Sequence, residues 1–120
     1  MTKAIDKETL RQFTETENWY RHCMARNILY TDGTKYVAET AEAYWLLDEI
    51  AFSQMIKLVA CEEFQLWKLK VSLKDQTGKL VCEDGNGNIV FRKRIPYTDF
   101  PLEEISFYFI DNTILLPSEY

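Results

Sequence analysis

The chain has 120 residues, of which 47% are hydrophobic and 14% aromatic, which is enough for one domain with a substantial core and too apolar for wholesale disorder. Its 14 basic and 19 acidic residues give a net charge of −5, which argues against generic binding to nucleic acid or to an anionic membrane. The sequence has neither an apolar run long enough to span a membrane nor the apolar segment of a signal peptide, so we expect a cytoplasmic protein with a single domain over residues 1–120.

The three cysteines, Cys23, Cys61 and Cys82, are odd in number and widely spaced. This pattern favours neither a disulfide framework nor a zinc site, and we expect reduced, mostly buried thiols. No other residue pattern indicates a metal or a cofactor.

Two helices are predicted at the N-terminus. Residues 5–13 carry spaced apolar groups among charges, with Asp6 and Thr9 as possible caps, which suits a short amphipathic helix. Residues 14–26 are predicted to form a second helix that places Trp19 and Cys23 on one face.

A small hairpin and a long helix are predicted next. In residues 27–37 the Asp32-Gly33 pair is typical of a tight turn between two short strands. Residues 38–60 lack Gly and Pro and favour a helix with a possible break near Ala43. Its core-facing stripe is predicted to consist of Leu47, Ile50, Ala51, Met55, Leu58 and Val59, with Glu49, Ser53 and Lys57 on the opposite side.

Residues 63–97 form the most regular pattern in the chain. Apolar residues alternate there with lysines and arginines at period two, which predicts three antiparallel strands with one buried face. The turns are expected at residues 75–78 and 84–88, and a last hairpin is expected over residues 105–116 around Asp111-Asn112. The predicted fold is therefore α+β, with N-terminal helices packed on one face of an antiparallel sheet of about five strands.

Three possible chemistries fail on the residue pattern. Residues 84–88 resemble a calcium loop, but an EF-hand needs glycine at its sixth position and glutamate at its twelfth, where this chain has Ile89 and Ile95. His22, the only histidine, neighbours Cys23, but adjacent helical residues point about 100° apart, so we expect a partly exposed histidine beside an aromatic patch. Adjacent carboxylates such as Glu62-Glu63 are expected to be solvated, and the chain is predicted not to be an enzyme. The alternative is a small enzyme whose site residues are scattered along the sequence.

The charge distribution leads to two hypotheses from different classes. The segment from Lys68 to Arg94 holds seven basic and three acidic residues, so its charge is +4 and the remainder carries −9. The acidic remainder could dock on a basic protein, such as an enzyme groove that normally holds nucleic acid. Alternatively, the basic sheet face could bind a single-stranded nucleic acid through Lys68, Lys70, Arg92 and Arg94. A third interpretation is that the lysines blunt a sheet edge and the acids maintain solubility.

We favour binding to a protein partner through an acidic surface. Aromatic anchors would supply most of the affinity and carboxylates would steer the encounter. The residues predicted to contact the partner are Trp19, Tyr20, Glu39, Glu42, Asp48 and Glu49. For Trp19 and Tyr20, burial in the core is the alternative.

The chain resembles a family of small bacterial proteins, also found on plasmids and phages, known as domain of unknown function 6876. The stretches that carry the resemblance are LRQFTETENWYRH, LYTDGTKYVAE, AYWLLDEIA, EFQLWKL, DGNGNIVF, YTDFPLEEI and LLPSEY. The resemblance implies no catalytic residues, and it suggests a complete one-domain protein. Occurrence on mobile elements, together with a small, acidic and motif-free chain, implies an inhibitor of a bacterial defence system, similar to an anti-CRISPR protein.

Overall fold

A mixed β-sheet forms the framework of residues 4–120, which are the residues that the computed structural model describes. In this part of the chain the strands are β1 (Trp19–Arg21), β2 (Leu29–Thr31), β3 (Phe64–Ser72), β4 (Thr77–Glu83), β5 (Ile89–Ile95), β6 (Glu104–Ile110) and β7 (Thr113–Leu115). Their spatial order is β1-β2-β7-β6-β3-β4-β5, and every neighbouring pair is antiparallel except β2 with β7. The α+β class is confirmed, but the predicted sheet lacked two strands and the parallel pair.

The helices of the described residues are short. They are α1 (Lys7–Arg11), α2 (Asp32–Thr40), α3 (Tyr44–Ser53), α4 (Lys57–Ala60) and a final 3-10 turn at Pro117–Glu119. Residues of α3 and the turn after it reach across the sheet to β3 and β5, through Gln54 with Gln65 and Glu49 with Lys93. We call the side of the sheet on which α3 and α4 pack the inner face, and the opposite side the outer face.

Strands β3 and β4 follow the predicted alternation, whereas β5 follows it only in part, since Ile89 is 48% exposed. Trp67, Leu69 and Val71 are buried on the inner face, while Lys68 and Lys70 point outward. The first turn lies at residues 73–76, two residues earlier than predicted. The second turn is confirmed: Gly87 has a φ of 84°, and the Asp84 carboxylate accepts hydrogen bonds from the backbone of the loop. The last hairpin turns at Asp111 and Asn112, both with positive φ, as such a two-residue turn requires.

The predicted helix over residues 14–26 is wrong. Residues 19–21 form β1, an edge strand that pairs with β2, and the preceding loop is held by the carboxylate of Asp32. Because successive residues of a strand point to opposite faces, Trp19 and Tyr20 project to different sides of the sheet. Trp19 is 56% exposed, so it does not belong to the core.

The predicted hairpin over residues 27–37 is also wrong in its second half. Thr31 ends β2 and caps α2, because its hydroxyl oxygen accepts a hydrogen bond from the Thr34 N–H at 3.3 Å. Asp32 is therefore the first helical residue, where its negative charge suits the helix dipole. Gly33 does not make a turn: a Cβ there would lie 2.7 Å from Leu116 and from Glu119, so the glycine permits close packing.

The break predicted near Ala43 is confirmed, with Glu42 in the left-handed region at a φ of 52°. A second break, between α3 and α4, was not predicted. It turns the end of the predicted stripe outward: Leu47, Ile50, Ala51 and Val59 are buried, but Met55 and Leu58 are 87% and 69% exposed. Ser53, predicted on the solvent side, is buried.

A buried amide network joins these helices to the sheet. Gln65, only 1% exposed, exchanges hydrogen bonds with Gln54 and donates to the carbonyl of Val59. Its side-chain oxygen also accepts from the indole N–H of Trp67 at 2.9 Å. Each of these buried polar groups has a partner, so Gln65 fixes the position of α4 against β3.

The prediction of mostly buried thiols is wrong for two of the three. Cys82 lies in the core on β4, whereas Cys23 and Cys61 are exposed. Cys23 lies in a loop within the segment predicted as a second helix, and Cys61 directly follows α4.

Candidate partner-binding site

An open groove of about 540 Å³ lies between the loop of residues 12–17, β1 and α2. Aromatic rings and carboxylates dominate its walls, with Lys35 as the one basic residue of the lining. We call this the acidic groove, and its charged and aromatic residues are Phe13, Glu15, Glu17, Tyr20, Asp32, Lys35, Tyr36 and Glu39.

Asp32 holds the groove together. Its carboxylate accepts hydrogen bonds from the backbone N–H groups of Glu17 and Asn18 at 3.0 and 3.2 Å, and from the Tyr20 hydroxyl at 2.9 Å. Desolvation would raise the pKa of Asp32, but these donors together lower it below its ordinary value. The negative charge is thus retained, and it fastens the loop and β1 to the start of α2.

The aromatic rings are oriented by the same contacts. The hydrogen bond to Asp32 is the largest cause that raises the pKa of Tyr20, followed by burial and the charges of Asp32 and Glu39. The Lys35 ammonium lies 4.3 Å from the centroid of the Tyr20 ring, a cation–π contact, and 4.0 Å from Glu39 Oε1. The groove therefore already holds one ammonium group, supplied by its own wall, between a ring face and a carboxylate.

The C-terminal turn fixes the helix that carries half of the groove. Glu119 Oε1 accepts from the Thr31 hydroxyl at 2.6 Å and from the Leu116 N–H at 2.9 Å, while Oε2 accepts from the Gly33 N–H at 3.1 Å. A carboxylate at this position satisfies donors at the start of α2 and complements its dipole. Glu119 thereby connects the end of the chain to the groove helix.

The structure brings together two of the six residues predicted to bind a partner. Tyr20 and Glu39 both line the acidic groove. Trp19 lies on the other side of β1, where it lines a second depression. Glu15 borders both this depression and the acidic groove. Glu42 is exposed in the connection between α2 and α3.

The remaining two carboxylates are engaged within the chain. Asp48 Oδ1 lies 2.8 Å from His22 Nε2, and Glu49 Oε2 lies 2.6 Å from the Lys93 ammonium. Both belong to α3 and neither lines the acidic groove. They stabilise the contacts of α3 with the β1–β2 connection and with the sheet.

His22 is buried, so the expectation of a partly exposed histidine is wrong, although it does contact an aromatic ring, that of Phe52. Its Nδ1 accepts hydrogen bonds from the backbone N–H groups of Met24 and Ala25, so the ring proton resides on Nε2 and is donated to Asp48. Both ring nitrogens are thus occupied, and neither can take a proton from the neighbouring Cys23 thiol in this arrangement.

Most of the groove is not apparent from the sequence. Glu15, Glu17 and Phe13 come from a loop where the sequence predicts helix, and Tyr36 comes from a helix where it predicts strand. The available signal is the threonine before Asp32: with a cap at Thr31, the helical spacing of α2 places Asp32, Tyr36 and Glu39 on one side.

Two further features of residues 4–120 bear on the kind of site. No group of three or more His, Cys, Asp or Glu side chains in this part of the chain is arranged to hold a metal ion. None of the helices described there combines the length and the apolar character needed to cross a membrane.

The fold and the groove define a small α+β protein with a recessed acidic and aromatic surface beside an edge strand. The chain belongs to the family of unknown function DUF6876, whose model matches residues 4–120. No curated protein and no solved structure matches the chain.

Proposed function

We propose that the protein acts by stoichiometric, non-enzymatic binding of a basic protein partner in the acidic groove. The observation that carries the proposal is the combination of three exposed carboxylates, those of Glu15, Glu17 and Glu39, with the rings of Tyr20 and Tyr36 in one recess. A lysine or arginine side chain from a partner would meet a ring face and a carboxylate there, as Lys35 does within the chain.

The carboxylates and the aromatic rings of the groove have different roles in the proposed binding. Exposed carboxylates contribute little net affinity but attract a basic partner and orient its approach. The rings are partly buried and held by packing, as in the contact of Phe13 with Tyr36 at 5.3 Å, so they lose little conformational freedom on binding. Trp19 extends the proposed contact surface across β1, since it is exposed and adjacent to Glu15.

The proposal is narrower than the acidic surface inferred from the sequence. Asp48 and Glu49 are excluded because they lie outside the groove lining, where their carboxylates contact His22 and Lys93. Glu42 lies outside the groove lining. We keep Trp19, Tyr20 and Glu39, and we add Glu15 and Glu17.

We further propose that the partner is the nucleic-acid-binding part of a bacterial defence complex, which the protein would inhibit in the manner of an anti-CRISPR protein. A surface that binds nucleic acid is basic, and an acidic protein of net charge −5 can compete for it. The support for this finer proposal is the charge and the small size of the chain.

A lysate capture with charge-reversed variants tests the binding proposal. Tagged wild-type protein, the double variant Glu17→Lys with Glu39→Lys, and the control Glu63→Lys with Glu103→Lys are compared on nuclease-treated lysate, with mass spectrometry of the retained proteins. All four glutamates are exposed and the two double variants change the net charge equally. A basic protein retained by the wild type and the control but not by the groove variant supports the proposal; equal loss of that protein with both variants contradicts it.

A plasmid-interference assay tests the finer proposal. In a host with an active CRISPR defence, expression of the wild type should restore transformation by a targeted plasmid, and the groove variant should not. Unchanged interference with wild-type protein would refute inhibition of that defence while leaving binding to a basic partner to the capture experiment.

A further inference from the structure

The outer face of the sheet carries its basic residues in two ordered rows. Strand register places Lys70, Lys79 and Arg94 side by side on β3, β4 and β5. The next row toward the other end of these strands contains Lys68, Val81 and Arg92. Residues that alternate with these on β3 and β4, such as Trp67 and Leu80, are buried on the inner face, so all five cations point to the same side.

Most of these cations are available to a ligand. Lys68 forms an ion pair with Glu83 at 3.2 Å, whereas in the described part of the chain the other four make no ion pair within 4.0 Å. Two carboxylates lie on this face near the cations. Glu104 on β6 is opposite Lys70, and Glu83 on β4 is opposite Leu66, in the row next to that of Lys68. Five cations against two carboxylates leave these rows positive. At the far end of the face, Glu15, Asp111 and Glu119 border the depression that Tyr120 also lines.

Aromatic rings continue the same face beyond the cations. Phe64 lies on β3 at the same side as Lys68, and Tyr108 lies on β6 beside Leu66. Their ring centroids are 5.0 Å apart, and the ring of Tyr120 stands 5.2 Å from Tyr108. Tyr120 is 76% exposed. These rings come from the start of β3, from β6 and from the C-terminus, so the sequence between the cations does not reveal them.

We propose that this outer face binds a single-stranded nucleic acid, with phosphates on the two basic rows and bases stacked on the rings. The binding residues are Phe64, Lys68, Lys70, Lys79, Arg92, Arg94, Tyr108 and Tyr120, which we call the outer-face platform. Its length from Phe64 to Lys70 on β3 is about 20 Å at roughly 3.3 Å per residue, long enough for several nucleotides. Cations that follow a backbone next to sequence-tolerant stacking rings are the features that bind single strands.

The geometry favours a single strand over a duplex. The bases of a duplex are stacked inside it and cannot reach rings on the surface of a sheet, and reading a duplex groove requires a projecting helix, ribbon or loop. The same rings and phosphate contacts serve DNA and RNA, which differ only in the 2′-hydroxyl. The platform and the acidic groove share no residue, although Glu15 of the groove and Tyr120 of the platform border the same depression. The two proposals are tested with different variants, so either can fail while the other stands.

Fluorescence anisotropy with labelled oligothymidylate and oligouridylate of about twelve nucleotides tests the platform at several salt concentrations. Lys70→Glu with Arg94→Glu should weaken binding about tenfold or more. The slope of log affinity against log salt should become shallower by about 1.4, because each of the two phosphate contacts contributes about 0.7 to it. The matched control, Arg26→Glu with Lys57→Glu, reverses the same number of exposed charges outside the platform and should change affinity by less than about twofold, since distant charges are screened.

The rings provide a second readout. Tyr108→Ala should weaken binding about tenfold because a stacking surface is removed, and Tyr120→Ala, at an exposed terminal residue, should weaken it by about threefold or more without affecting the fold. Tyr44→Ala, on α3 at the opposite side of the sheet, is the aromatic control and should leave affinity unchanged. Whichever oligonucleotide binds more tightly identifies the sugar that is preferred.

Three results would overturn the proposal. Neither oligonucleotide binds at low salt; the control charge reversal weakens binding as much as the platform variant; or polyglutamate competes as well as the oligonucleotide while both tyrosine variants bind normally. The last result would mean that the face attracts any polyanion.

Discussion

Replacing Glu119 by alanine removes the acceptor that connects the C-terminal turn to the start of α2. Three donors would lose it: the Thr31 hydroxyl at 2.6 Å and the N–H groups of Leu116 and Gly33 at 2.9 and 3.1 Å. Hydrogen bonds to a charged acceptor contribute about 1.5–3 kcal/mol each, but Thr31 can turn its hydroxyl to Thr34, and the terminal turn can admit water. We therefore expect the free energy of unfolding to fall by about 2–4 kcal/mol.

Urea unfolding followed by far-UV circular dichroism and tryptophan fluorescence measures this change. With about 4 °C per kcal/mol for a chain of this size, the melting temperature should fall by about 8–16 °C. Glu119→Gln should lose less stability than Glu119→Ala, because its amide oxygen still accepts hydrogen bonds. It should remain less stable than the wild type, because its NH₂ group faces a donor. Glu63→Ala, an exposed control, should change stability by less than about 0.5 kcal/mol. If Glu119→Ala behaves like Glu63→Ala with an unchanged m-value, the reasoning about the carboxylate is refuted.

Three further predictions concern the core, the thiols and acid stability. Gln65→Leu should lower the free energy of unfolding by about 2–4 kcal/mol, because the indole N–H of Trp67 and a backbone carbonyl lose their buried partner; urea unfolding measures it. A thiol reagent at about pH 8 should modify the two exposed cysteines of the native protein, and Cys82 only after unfolding, because burial raises the pKa of that thiol to about 12. Asp32→Asn should reduce the acid dependence of stability. The lowered pKa of Asp32 means that its carboxylate stabilises the fold above the ordinary value of 3.8 and loses this effect as pH falls through the lowered pKa.

Each of these has a contrary outcome. A Gln65→Leu variant as stable as the wild type would show that the amide network adds nothing beyond an apolar core. Modification of all three thiols at equal rates in the native protein would place Cys82 outside the core. Identical pH profiles of stability for Asp32→Asn and the wild type would mean that the hydrogen bonds to this carboxylate do not favour its charged form.

The central part of the sheet was predictable because local sequence determines it. The alternation of Trp67, Lys68, Leu69 and Lys70 determines which side of β3 is buried. It also determines the register, because a shift by one residue would turn the apolar side chains to solvent. The turn at Asp111 and Asn112 was equally readable, because these two residues tolerate positive φ.

The N-terminal strands were not predictable from local pattern. β1 and β2 have three residues each, too few to show a period, and β2 is placed by a parallel pairing with β7 from the other end of the chain. Asp-Gly favours a turn at Gly33, yet the role of this glycine is set by Glu119, a contact between residues 86 positions apart. Tertiary contact overrode local preference at this point.

The same reason explains why the sites were predictable only in part. Tyr20 and Glu39 could be singled out as an aromatic and an acid, but that they share a groove depends on the correct start of α2. Four of the five platform cations, those on β3 and β5, were readable from the alternation. The contact of Phe64 with Tyr108, whose ring planes are tilted by 56°, depends on the pairing of β3 with β6.

The measurement that tests the central claim most directly is an NMR titration of the ¹⁵N-labelled protein with an arginine-rich peptide, read as amide shift changes along the chain. A basic peptide is attracted by any acidic protein, so shift changes alone do not identify the binding site. Their location along the chain does. We expect the shift changes to concentrate in residues 12–20 and 32–39, to disappear in Glu17→Lys with Glu39→Lys, and to persist in Glu63→Lys with Glu103→Lys. Changes spread over the other acidic surfaces, or unaltered in the groove variant, would contradict the assignment of the acidic groove as the partner site.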